Sequence, residues 1–107
     1  MKRKKTPLKD KGLKYDTGKA KLSMIPVEAL EMEAQAFEYG AKKYAKNNFK
    51  GGMEWSRLLD ASLRHIYAFS AGENIDEESL VNHIGNARAC LAMLAYNIKN
   101  NKGIDDR

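Results

Sequence analysis

The sequence predicts an all-α protein: a compact bundle of three long helices, with room for a short fourth, assembled as an oligomer. Apolar residues recur at three- and four-residue steps in three separate stretches. No stretch alternates apolar and polar residues as a half-buried strand does, and proline or Asn/Gly punctuation separates the three. The first stretch follows Leu22, where packing begins. Pro26 disfavours helix at Ile25 but suits the first turn of a helix starting there. Val27, Leu30, Ala34, Phe37, Ala41 and Tyr44 form its apolar seam, and the helix should run to about residue 46. Gly40 lies inside it at a cost of about 1 kcal/mol relative to Ala, and so calls for a reason: close helix approach or access for a ligand. Asn47 to Gly52 is turn chemistry.

The second helix is expected from about Glu54 to Ala71, with Trp55, Leu58, Leu59, Ser62, Ile66 and Phe69 inward and Gly72 as its stop. Asp76 or Ser79 should cap the third, whose stripe is Ile84, Ala87, Leu91, Leu94 and Ile98. Residues 1–20 read as a basic, flexible arm, residues 21–100 as one helical domain, and residues 101–107 as a polar tail. Three stripes in 107 residues leave a modest core, and domains of this size often gain stability by pairing. Met24, Met32 and Met93 fit adaptable packing at such a surface, so the expected assembly is a homo-oligomer, a dimer.

The formal net charge of +5 is unevenly divided: residues 1–21 carry nine Lys or Arg against Asp10 and Asp16, whereas the remaining 86 residues are slightly acidic. A basic arm on an acidic body argues against a broad nucleic-acid-binding face, which needs Lys and Arg spread over the folded surface. No apolar run approaches the roughly 20 residues a bilayer span requires, and no apolar segment follows the basic start as in a signal peptide, so no membrane partner is expected. Cys90 has no second cysteine to pair with and no Cys or His at metal-ligand spacing; it fits a reducing compartment as a small buried apolar group.

Several polar residues need an explanation. Arg57, Asp60 and Arg64 share one face of the second helix, either as a surface ion-pair ladder or with Asp60 orienting an arginine toward an anion. His65 borders the core face of that helix, and His83 holds the matching place on the third. Glu28 with Glu31, and Glu73 with Asp76, have the i, i+3 spacing that places two carboxylates on one helical face, as Mg²⁺ bound to a nucleotide requires. Tyr44, Phe49 and Trp55 cluster around the first turn beside Lys42, Lys43 and Asn48. Aromatic faces stack bases and lysines attract phosphate, although core packing explains the same rings.

These residues fall into an ordered set of motifs. Gly18-Lys19 is followed by Leu22 and Ile25-Pro26, then by Tyr39-Gly40-Ala41-x-Lys43-Tyr44 with Asn48-Phe49. Trp55 to Leu59, Arg64-His65, Gly72-Glu73-x-x-Asp76-x-Glu78, and His83 with Asn86-Ala87 complete the order. From Lys14 to about Tyr96 the chain resembles the phage-borne dATP/dGTP diphosphohydrolase N-terminal-domain family, which lies near the all-α MazG-like nucleotide pyrophosphohydrolases. The resemblance implies a purine nucleotide ligand, a helical nucleotide-binding domain over residues 21–100 and a phage origin, hence the cytoplasm of an infected bacterial host. It departs from the family at Asn86, where a second histidine is usual, and at Phe49, where tryptophan is. The dense Glu-Glu-x-x-Glu cluster of the MazG pattern is reduced to Glu28, Glu31 and Glu33.

Two readings follow. In the first the protein is a sponge that captures a purine nucleotide or cyclic dinucleotide signal of antiphage defence and needs no cofactor. Lys19, Lys43, Arg57 and Arg64 then hold phosphates, Tyr44, Phe49 or Trp55 stacks a base, and Asn48 reads its edge, with His65 beside them. The alternative is a metal-dependent dATP/dGTP diphosphohydrolase releasing pyrophosphate. In it Glu31, Glu73 and Asp76 hold Mg²⁺ or Mn²⁺, and His65 or His83 serves as acid or base.

Overall fold

The structure, a computed structural model, describes Tyr15, residues 17–43 and residues 48–107, the side chains of Asn48 and Phe49 excepted. Most of the expected arm, Tyr44 and the two excepted side chains therefore lie outside the described residues. Three long helices carry the chain: α1 (Val27–Lys43), α2 (Trp55–Ser70) and α3 (His83–Lys99). Short 3-10 turns at Leu22–Met24 and Asn48–Gly51 precede α1 and α2. Among the described residues there is no strand, only isolated bridges between Glu54 and Ile104 and between Ile75 and Asn82. No described helix is long and apolar enough to cross a membrane.

Local chemistry explains the helix ends. The Pro26 carbonyl accepts from the Ala29 and Leu30 amides, so proline opens α1 as its fixed φ allows. Gly72, at φ 105°, closes α2: its amide donates to Phe69 and the Glu73 amide to Ala68, the paired bonds of a left-handed helix stop. α3 starts later than its expected caps, because Asp76 and Ser79 belong to a reversal of their own. Asp76 accepts from the Ser79 amide at 3.2 Å and hydroxyl at 2.8 Å, and the Leu80 amide, at φ 61°, bonds back to the Asp76 carbonyl. The actual cap is Asn82, whose Oδ1 accepts from the Ile84 amide at 2.7 Å.

Among the described residues α1 and α2 both pack chiefly on α3, so the three form an open arrangement around it. On one side Gly85 meets the backbone of Met32 so closely that a Cβ would overlap the Met32 carbonyl oxygen. Ala36, Val81 and Ala89 form the core there, with Phe37 and Tyr39 against it, and a 3.0 Å ion pair from Arg88 to Glu33 ties α1 to α3. On the other side Leu58 and Ser62 are buried, and the Ser62 hydroxyl donates to the Ala87 carbonyl.

The expected seam of α1 is therefore mostly on the outside. Val27 and Leu30 are 58% and 42% exposed, and Ala34 and Ala41 are exposed too. The helix is rotated so that Met32, Glu33 and Ala36 face α3, and of the described seam residues Phe37 alone packs inward. Ile66 and Phe69 of α2 and Leu91 and Ile98 of α3 are likewise exposed.

The C-terminal segment is no free tail. Trp55 Nε1 donates to the Lys102 carbonyl at 2.9 Å and the Trp55 amide to the Ile104 carbonyl at 2.9 Å, while Asp106 accepts from the Ser56 amide and hydroxyl. Glu54, the residue before α2, makes no side-chain cap, so Asp106 supplies the acceptor from 50 residues away.

The two helical glycines should respond in opposite ways. Gly85→Ala forces α1 off α3 and should cost about 1–3 kcal/mol, read as a lower Tm. Gly40→Ala meets no described atom within 4 Å and should raise stability by up to about 1 kcal/mol. A neutral Gly85→Ala would show that the crossing relaxes.

Candidate functional site

The reversal between α2 and α3 gathers polar residues from all three helices. His65, little more than a turn from the end of α2, faces His83, the first residue of α3, with the two Nδ1 atoms 2.9 Å apart. One hydrogen must lie between them, since two bare lone pairs at that distance would repel. His83 is 4% exposed, its Nε2 lacks a partner in bonding geometry, and the Glu73 carboxylate stands 3.5 Å from that nitrogen. Buried Asn86 donates to the Ser79 hydroxyl at 3.2 Å, joining α3 to the Asp76 turn. From the end of α1, Lys43 Nζ reaches Glu78 at 2.6 Å and the Tyr39 hydroxyl donates to the same oxygen at 3.4 Å.

Charge states follow from these contacts. Burial holds His65 below its ordinary 6.5; Asp76 opposes this, while His83 and Arg64 reinforce it. Burial raises the Asp76 carboxyl, but hydrogen bonds from the Ser79 hydroxyl and from the Ser79 and Glu78 amides outweigh it, leaving Asp76 below 3.8. Lys43 lowers the exposed Glu78 through its hydrogen bond and its charge. Burial pushes the Cys90 thiol up, so it is an inert packing group, as its sequence context suggests.

Of the residues expected at the site, His65, His83, Glu73, Asp76 and Lys43 are linked through this reversal. Arg64 is exposed beside His65, with no carboxylate in ion-pair range among the described residues. Among the described residues, Lys19, Arg57 and Trp55 make no hydrogen bond or ion pair to this cluster. Lys19 is exposed ahead of α1, with no hydrogen bond or ion pair among the described residues. Arg57 pairs at 3.7 Å with Glu54, not with Asp60, so the expected ladder does not form. Trp55 is occupied at the far end of α2, its indole bonded to Lys102 with the Arg107 guanidinium 5.5 Å over its ring.

The proposed metal set is not assembled either. Among the described residues no three of His, Cys, Asp and Glu are grouped to hold an ion. The physical reason is local: Glu31 is on an exposed part of α1, Glu73 stands against His83, and Asp76 spends its oxygens on its own turn. These residues do not fit a resident ion within one chain. Sequence reasoning also passed over Tyr39, Ser79 and Asn86 as members of the site, and gave Glu78 no role. Tyr39 and Lys43, one turn apart, carried a usable signal: a shared polar face ending beside an acidic loop.

A family model described as dATP/dGTP diphosphohydrolase, N-terminal, matches residues 9–107. The chain belongs to this family. A protein of Salmonella phage PMBT28 named dATP/dGTP diphosphohydrolase is 33% identical over 96 residues, covering 90% of this chain and 33% of its own length. The chain thus spans about a third of that relative. No solved structure matches it. Within the family frame, the two departures noted above fall differently: Asn86 is part of the polar cluster, whereas the Phe49 side chain lies outside the described residues.

A pH titration tests the histidine pair. Because folding lowers His65's affinity for a proton, its contribution is complete above the unfolded value of 6.5 and is lost as pH falls through the depressed folded value. Melts between about pH 7.5 and 4.5 should show a falling Tm that His65→Gln flattens. An equal slope in the variant would remove His65 as the cause.

Proposed function

We propose that the chain is a phage nucleotide-binding protein acting on a purine deoxynucleoside triphosphate, as its relative's name, dATP/dGTP diphosphohydrolase, suggests, and that it cleaves this substrate with release of pyrophosphate. The observation that supports it best is the convergence of His65, His83, Glu73, Asp76 and Lys43 on one reversal, in a chain of this family. Arg64 and Lys43 bring positive charge to the two flanks of that reversal; the Lys43 pair with Glu78 is exposed and inexpensive to exchange for a phosphate oxygen. His65, uncharged near neutrality, is suited to accept a proton from a nucleophile. Mg²⁺ or Mn²⁺ would supply charge stabilisation in such chemistry, but among the described residues no three ligands are grouped within one chain.

Capture of a purine nucleotide or cyclic dinucleotide is the second reading, and that same ungrouped carboxylate set is what favours it. The two separate in one experiment. The protein is incubated with dATP, dGTP or cyclic dinucleotides, with and without Mn²⁺, then denatured and chromatographed. Catalytic release of monophosphate and pyrophosphate is expected; stoichiometric return of intact ligand would replace hydrolysis with capture. Arg64→Ala should abolish nucleotide binding with little change in Tm, since the side chain is exposed. An equally large loss of stability would make Arg64 structural.

We further propose that the protein works as a homodimer in the host cytoplasm, with a second copy covering the outward seam of Val27, Leu30 and Ala34. A charge placed there should be incompatible with burial. Leu30→Asp is expected to halve the mass measured by sedimentation equilibrium, and a monomeric parent protein would rule the interface out.

A further inference from the structure

We infer that Glu73 and His83 set the tautomer of His65, leaving Nε2 of His65 as a bare proton acceptor. The argument starts from the 2.9 Å separation of the two Nδ1 atoms, which requires one ring to donate and the other to accept. Two neutral arrangements satisfy it. If His83 donates from Nδ1, its Nε2 is a lone pair, and that lone pair sits buried with the Glu73 carboxylate 3.5 Å away. Two acceptors then face each other, with the nitrogen of the pair buried. If His83 instead carries its proton on Nε2, Glu73 Oε1 stands 3.5 Å from that nitrogen, and movement of the half-exposed Glu73 side chain brings the two into bonding geometry. His83 Nδ1 is then the acceptor, His65 must donate from Nδ1, and the remaining nitrogen of His65 has no proton.

Once Glu73 closes that gap the second arrangement pairs both nitrogens of the buried ring, whereas the first sets Nε2 against another acceptor, and a buried polar atom left unpaired is unfavourable. The chain of contacts, carboxylate to buried imidazole to half-buried imidazole, orients a base through an intervening ring. His65 is the member that reaches a ligand, being partly exposed where His83 is 4% exposed. Around it stand Asp76, His83 and Arg64, and the net effect of its surroundings keeps the ring neutral, as a proton acceptor must be. Glu73 and His83 touch no reacting atom in this scheme; they are positioning residues, and their action on a substrate rests on the nucleotide-hydrolysing reading given above.

The test reads the tautomer directly. Imidazole ¹⁵N shifts of the full chain near neutral pH should show His65 with a protonated Nδ1 and a bare Nε2, and His83 with the reverse. A bare Nδ1 on His65, whether His83 is neutral or cationic, overturns the inference. Glu73→Leu keeps the bulk but removes the acceptor that holds the proton on His83 Nε2, so it should turn both rings into tautomer mixtures while the backbone spectrum and Tm stay close to the parent's. Unchanged tautomers in a folded Glu73→Leu would remove Glu73 as their cause. With dATP as the probe, turnover should fall in proportion to the share of His65 that carries its proton on Nε2. The expected shifts in a protein that turns over no nucleotide would leave the relay standing and defeat the proposed function instead.

Discussion

The smallness of one face of α3 is the constraint on which the rest of the structure depends. Gly85 and Ala89 let α1 settle on one side, while Ala87 and Ser62 of α2 bring the second helix close on another. Helices approach as near as their side chains permit, so a single added carbon at Gly85 would displace a backbone rather than a flexible chain. Because α3 is shared in this way, buried residues run along its length, including His83, Asn86 and Asn97, which an exposed helix would hold in water. Asn97 is fully buried with neither side-chain atom hydrogen-bonded, a cost the packing around α3 must offset.

That same sharing makes the site. α3 begins near where α2 ends, and residues 71–82 between them have to turn the chain back within a short distance. Gly72 stops α2, Asp76 and Leu80 close a tight turn, and Asn82 opens α3, so each local choice serves the reversal. Acidic residues needed for the turn thereby come beside a histidine at either end. Polar groups brought together by backbone geometry shift one another's proton affinities, and such clusters are where functional sites are commonly found.

The outward seam of α1 and the apolar residues left uncovered on α2 and α3 are the other consequence of the open arrangement. A three-helix chain has two ways to bury three stripes: close upon itself, or present them to another copy. Here α1 is rotated toward α3 by the Met32 to Gly85 contact and the Arg88 to Glu33 pair, which use a face different from the most apolar one. The C-terminal segment takes up the opposite end, tying Trp55 and Ser56 so that the start of α2 is held without a cap of its own.

The sequence by itself determined the helices and much of their punctuation. Pro26 and Gly72 act through the chain's own φ, and periodicity of three and four needs no partner to be read. It also singled out Lys43, His65, Glu73, Asp76 and His83, because ordered motifs preserve spacing along the chain. What only the tertiary structure decided is which faces meet. Nothing in the periodicity of α1 says that Ala36 rather than Ala34 packs inward, since that depends on a close approach at Gly85, far away in sequence. Asp76 looked like a cap for α3 because both roles ask for the same carboxylate, and only the path of the chain chose between them. Arg57 and Trp55 carry suitable chemistry in suitable order, yet both engage partners at the start of α2, a helix length from the reversal, and Glu31 is exposed on α1. Residue type and spacing are one-dimensional quantities, whereas a site is a set of distances, and distances across helices are fixed by packing.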